Sequence, residues 1–181
     1  MVNYSNYGLE KISSVSSSTP AASFDLPVND TIIRYTHVIV LGTLHCETDD
    51  AGYYQFELRS GSDGQTCYHV TMNSGTNSNH NLGSSRVRLN YYNQGNTNNT
   101  SILGEMCDFM IEFNFDKSSS LPYQRFHTNY ISANNTSVAH LSMGHGDYRE
   151  TDSATYLRFY NSGSNITINA ASYGLGARFA A

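Results

Sequence analysis

Tryptophan is absent from this sequence, and lysine occurs only at Lys11 and Lys117. Charged side chains make up only 14%, the formal net charge is −5, and no run of lysine or arginine occurs. Without a clustered basic surface, no binding to nucleic-acid phosphates is expected. No apolar stretch approaches the roughly 20 residues of a membrane-spanning helix, so membrane insertion is not expected either. Met1 to Glu10 is polar and lacks the basic-then-apolar pattern of a secretory leader, which points to synthesis in a cytoplasm. The Asn-x-Ser/Thr triplets at Asn29, Asn98, Asn134 and Asn165 then read as turn chemistry rather than glycan sites. Cys46, Cys67 and Cys107 form an odd set with no close pair. Each sits in or beside a strand-like run and reads as a small, reduced core side chain without a disulfide.

The signatures of catalysis are missing as well. There is no Gly-x-Ser-x-Gly elbow, Cys/His hydrolase pattern, phosphate loop or glycosidase carboxylate pair. Gly61-Ser-Asp-Gly64 is too short for an elbow, and Asp108 and Glu112, near Glu105, read as the solvated face of a strand. No catalytic residue, cofactor or metal ligand is assigned. His45-Cys46-Glu47 with Asp49, Asp50, Cys67 and His69 has the donor types for zinc. However, adjacent strand residues point to opposite faces, so His45 and Cys46 do not share an ion. Asp49-Asp50 and Ser62-Asp63-Gly64 are acidic turns without the twelve-residue calcium-loop pattern. His140, His145 and Asp147, in Ala139-His-Leu-Ser-Met-Gly-His-Gly-Asp147, read as a tight glycine-punctuated turn with a hydrogen-bonded histidine.

What remains is rich in Asn, Ser, Thr and Gly, with 14 tyrosines. These polar residues compete with helix and favour turns. From Ser23 onward the dominant period is two. Tyr54, Phe56 and Leu58 alternate with Gln55, Glu57 and Arg59. Val87, Leu89 and Tyr91 alternate with Arg86, Arg88 and Asn90. Cys107, Phe109, Ile111, Phe113 and Phe115 alternate with Asp108, Glu112 and Asn114, with Met110 interrupting the polar face. Leu157 and Phe159, then Ile166 and Ile168, repeat the pattern. Tyr35-Thr-His-Val-Ile-Val-Leu41 is apolar on both faces and reads as a central strand. Ser60 to Gly64 and Asn161-Ser-Gly163 look like hairpin turns, whereas Asn73–Ser85 and Asn93–Ser101 read as exposed loops. The expected fold is all-β: a single antiparallel β-sandwich, jelly-roll-like, over residues 21–181. Residues 1–20 form a short extended N-terminal arm or first strand. Phe56, Val87, Phe109, Ile111, Phe113, Leu157 and Phe159 are expected in the core.

The two ends carry a resemblance. The opening, Tyr7-Gly-Leu-Glu-Lys-Ile-Ser-Ser-Val-Ser-Ser-Ser-Thr-Pro-Ala-Ala-Ser-Phe24, resembles the start of a diverse group of bacteriophage virion surface proteins. In these a short strand and a Ser/Gly turn lead to a second strand ending in Ser-Phe or Thr-Phe. Tyr35 to Leu41 matches the aromatic-Thr-His/Asp strand that follows there. The close, Ala154-Thr-Tyr-Leu-Arg-Phe-Tyr-Asn-Ser-Gly-Ser-Asn-Ile-Thr-Ile-Asn-Ala-Ala-Ser-Tyr-Gly-Leu-Gly176, is similar to their terminal hairpin. The middle matches only in spacing. The resemblance implies a shared sandwich and a place on the virion surface, after synthesis in the host cytoplasm, and implies no particular ligand.

Two functions follow as expectations. One is an oligomeric capsid decoration or cement subunit, most simply a trimer, bound to the major capsid protein. The other is a tail-fibre or receptor-binding module, attached to a tail protein, that grips host surface glycan. The sandwich begins soon after the arm, with no long shaft before it, which favours the first. Tyr53, Tyr68, Tyr92, Tyr148, Tyr156 and Tyr160 fall on polar strand faces or turns, where a tyrosine offers flat apolar area and a hydroxyl to a subunit or a sugar. Tyr4, Tyr7, Leu9, Ile12, Tyr148, Tyr156 and Tyr160 are the candidate interface residues. Because the core strands start near Phe24, removing Met1 to Thr19 is expected to leave the sandwich folded and to abolish attachment.

Overall fold

A computed structural model describes residues 9–28, 33–46, 54–60, 63–64, 67–73, 77–84, 86–89, 106–115, 124–133, 139–148 and 155–180. These form thirteen strands and, among the described residues, no helix. The first seven are β1 (Glu10–Ala21), β2 (Ser23–Pro27), β3 (Ile33–Cys46), β4 (Tyr54–Ser60), β5 (Asp63–Gly64), β6 (Cys67–Asn73) and β7 (Asn77–Ser84). They are followed by β8 (Arg86–Arg88), β9 (Met106–Phe115), β10 (Gln124–Ala133), β11 (Ala139–Tyr148), β12 (Tyr156–Asn161) and β13 (Ile166–Ala180).

Every pairing is antiparallel. A large sheet runs β1-β13-β3-β9-β10-β11-β6-β7, and a small sheet runs β2-β12-β4-β5, with β8 also on β4. The N-terminal strands pair with the C-terminal ones in both sheets, β1 with β13 and β2 with β12. The two sheets pack face to face as a β-sandwich. The apolar positions of the period-two pattern close the space between the sheets. Phe56 of the small sheet meets Phe113 and Phe126 of the large sheet edge-on, with ring centroids 6.3 and 5.7 Å apart. Phe109 and Phe159 approach to 5.0 Å across the same gap. All seven expected core residues are buried.

Tight spots in the large sheet belong to glycine. A Cβ on Gly42 would stand 2.8 Å from the Phe109 ring and from the Asn169 carbonyl. A Cβ on Gly174 would overlap the ring of Tyr35, which lies directly against it. Ser172, fully buried on β13, donates to the Pro27 carbonyl of β2 and so ties the two sheets together.

Residues 10–21 are a first strand, one of the two forms expected for the N-terminal segment, hydrogen-bonded along β13 with Ile12 and Val15 packed against the core. Three expectations need correction. Asn161-Ser-Gly163 is not a hairpin: β12 lies in the small sheet and β13 in the large one, so the turn carries the chain between sheets. Asn161 holds that turn, its Oδ1 accepting from the Gly163 N–H at 2.8 Å while its Nδ2 donates to Cys46 Sγ at 3.1 Å. The tract 73–85 was expected as loop, yet 77–84 pairs with β6 as the sheet's edge strand. Its pairing is through the backbone and needs no apolar face. Finally, Ala139–Tyr148 is a continuous strand between β10 and β6 rather than a tight turn. Its glycines, Gly144 and Gly146, sit opposite Thr128 and Phe126. The tract 93–101 lies outside the described residues.

Candidate functional site

With the core between the sheets, the polar half of each period-two strand lies on the outer faces. On the small sheet the outer positions come from the polar half of each period-two strand. Register places Asp25, Arg158, Glu57 and Arg86 in one row across β2, β12, β4 and β8, with alternating charge. Arg158 grips Asp25 with two parallel bonds, Nε to Oδ1 at 2.7 Å and Nη2 to Oδ2 at 2.8 Å. Those bonds push the guanidinium still further above its ordinary value, so it stays charged.

Glu57 is the hub of this face. It is 7% exposed, and a carboxylate buried to that degree persists only with charged or hydrogen-bonding partners. Arg59 Nη1 donates to Oε2 at 2.8 Å, and Arg86 Nε donates to Oε1 at 3.2 Å. The Tyr160 hydroxyl also donates to Oε1, at 3.2 Å, and the Arg86 guanidinium lies 5.0 Å from the centre of the Tyr160 ring. Three donors on two oxygens devote the carboxylate to joining β4, β8 and β12.

The outer face of the large sheet has a different character. Ile39, Glu112, His127 and His145 stand side by side across β3, β9, β10 and β11. The neighbouring row holds Leu41, Met110, Asn129 and Met143. Leu41 is 43% and Met143 64% exposed. His37 Nε2 lies 2.8 Å from Glu112 Oε1, and Thr43 Oγ1 donates to Asp108 at 2.7 Å.

The described members of the expected interface set lie on different elements. Tyr4 and Tyr7 lie outside the described residues. Leu9 is exposed just before β1, and Ile12 is partly buried against the core. Tyr148 ends β11, with its backbone between Gln124 and Cys67 in the large sheet. Tyr156 is half-buried on the small sheet, with the Arg158 guanidinium 6.0 Å from its ring centre. Tyr160, expected on an exposed polar face, is 9% exposed, because its hydroxyl turns in to Glu57. Tyr53 and Tyr92 lie outside the described residues.

The zinc-type donors are also scattered. His45 and Cys46 alternate, Cys46 being buried and His45 half-exposed on the other face. Cys67 and His69 are on β6, four strands from β3, which is about 19 Å of lateral strand spacing. Residues 47–50 lie outside the described set. Among the described residues no three His, Cys, Asp or Glu side chains form a metal cluster.

Sequence reasoning missed two features. The Asp25-Arg158-Glu57-Arg86 row was present as polar alternation, but only the pairing of β12 between β2 and β4 assembles it. The opposition of His127 and His145 was hidden because Gly-His-Gly reads as a turn. A scan of protein-family models and a search of curated proteins give no match to this chain.

Proposed function

We propose that this chain is a non-enzymatic structural subunit of a bacteriophage particle, an oligomeric capsid decoration or cement protein on the particle surface. The observation that supports the reading is the pairing of the two segments that resemble phage virion proteins. The opening segment supplies β1 and β2, the closing segment supplies β12 and β13, and they meet as β1·β13 and β2·β12. Segments far apart in sequence thus form one two-layered unit, whose two chain crossings at Ala22 and at 162–165 pass between the sheets. A resemblance confined to both ends is what a common structural unit of this kind would leave.

Self-association belongs to the proposal, but a free arm does not carry it over residues 10–21, because β1 is held within its own sheet. The surface it offers is the other side of β1, the edge of the large sheet. Its backbone pairs only with β13 among the described strands, and between Ile12 and Ala21 it carries no charged side chain to repel a second strand. A closed ring, such as a trimer, would use that edge identically in each copy.

Quantitative mass spectrometry of purified particles tests the proposal. A decoration subunit should be present at a copy number comparable with the major capsid protein or a simple fraction of it. A few copies per particle would instead place the chain in a tail appendage. Absence from purified particles would overturn the virion assignment.

A further inference from the structure

Two imidazoles and a thioether stand on the outer face of the large sheet, and among the described residues no hydrogen bond or ion pair holds any of them. His127 on β10 and His145 on β11 are direct cross-strand partners. Both are exposed, while Phe126 and Thr128 on either side of His127 are buried, so the imidazoles share the solvent face. Directly opposed residues on one face have Cβ atoms about 4.5–5.5 Å apart. Met143 lies two residues before His145 on the same face, about 7 Å along the strand. It is diagonal to His127, since its own partner is Asn129, and such diagonals span roughly 7–8 Å. The three side chains therefore mark a triangle whose centre each can reach, because an imidazole binds a metal at about 2.0–2.1 Å from its nitrogen.

Each of the three is unexplained by packing. Among the described residues, no hydrogen bond or ion pair holds either imidazole, whereas His37, on the same face, has Glu112 at 2.8 Å. Met143 is the most exposed large hydrophobic side chain among them, at 64%. An apolar, flexible side chain in water gains nothing there, but a polarizable sulfur beside two imidazoles is a donor set with chemical preference. Thioether favours Cu(I), and imidazole suits copper as well as zinc and nickel. Glu112, opposite His127 on its other side, adds a nearby carboxylate favourable to a cation, already engaged by His37.

We propose that His127, His145 and Met143 form a copper-binding site on this face, the two imidazoles as the primary pair and the thioether giving selectivity for Cu(I). The site lies away from the β1 edge and stands independently of the virion proposal.

The test is competition for Cu(I) against a chromophoric chelator, after accessible thiols have been blocked with N-ethylmaleimide, with Ni(II) binding measured in parallel. His127→Asn and His145→Asn should each weaken both ions at least tenfold. Met143→Leu should weaken Cu(I) at least tenfold and change Ni(II) less than threefold. In protein labelled with methyl-13C methionine, the resonance missing from Met143→Leu should shift and saturate at one equivalent of Cu(I). All three side chains are exposed, so melting temperatures should not change. Unaltered Cu(I) affinity in His127→Asn/His145→Asn would overturn the site. So would a Met143 methyl resonance that ignores Cu(I), and equal losses of Cu(I) and Ni(II) in Met143→Leu would reject the thioether as a ligand.

Discussion

The Tyr160 hydroxyl donates to Glu57 Oε1 at 3.2 Å, so a tyrosine on the polar face of its strand is buried over a carboxylate rather than offered to solvent. Burial, reinforced by the Glu57 charge and opposed by Arg86, pushes the phenol well above its ordinary value. In the unfolded chain it ionises near pH ~10. The folded protein holds this proton more tightly than the unfolded one. The stabilisation is therefore complete below about pH 10 and is lost as pH rises further. Tyr160→Phe should cost about 1 kcal/mol near neutrality, because Glu57 keeps both arginines. It should also flatten the alkaline fall in stability. Urea unfolding of both proteins at neutral and alkaline pH checks this; parallel alkaline slopes would contradict it.

Phe56 is the ring on which the two sheets meet, touching Phe113, Phe126 and Phe159. Phe56→Ala should destabilise the fold by roughly 3–5 kcal/mol. Equilibrium unfolding followed by circular dichroism reads the change. A loss under about 1 kcal/mol would mean that the sheets do not pack as described.

Removal of Met1 to Thr19 strips most of β1 from β13 and uncovers the core at Ile12 and Val15. The truncated protein should lose roughly 2–4 kcal/mol of stability, rather than keep an intact sandwich. Matching thermal melts for full-length and truncated protein would contradict the pairing.

Cys46 and Cys107 are buried, and neither is joined in a disulfide among the described residues. They should resist alkylation in the native protein, and all three cysteines should be modified under denaturing, non-reducing conditions. Mass spectrometry showing a single modified cysteine after denaturation would reveal a disulfide.

Much of the sandwich was legible because burial imposes a period of two. Phe109, Ile111 and Phe113, and Phe56 beside Glu57, declare their faces without reference to any partner strand. The central place of β3 was legible for a related reason: Val38, Ile39, Val40 and Leu41 are apolar on both faces. Pairing was not legible, since the turn at 161–163 has the same chemistry whether the chain returns to its own sheet or crosses to the other. β7 and β11 were missed because backbone ladders form without apolar side chains, so asparagine- and glycine-rich tracts carry no periodic signal. The Glu57 hub and the His127–His145 pair are consequences of pairing and were hidden with it. Tyr160 turned inward because an acceptor lay within its reach, and that acceptor, on a different strand, is likewise invisible before the strands are paired.

A density reconstruction of the particle to which the proposal assigns this chain tests the central proposal most directly. It should show the sandwich as repeated subunits on the outer capsid surface, in closed rings with β1 at the subunit contact. Density for the sandwich only at the tail would contradict the decoration role, and a particle with no such density would contradict the virion assignment altogether.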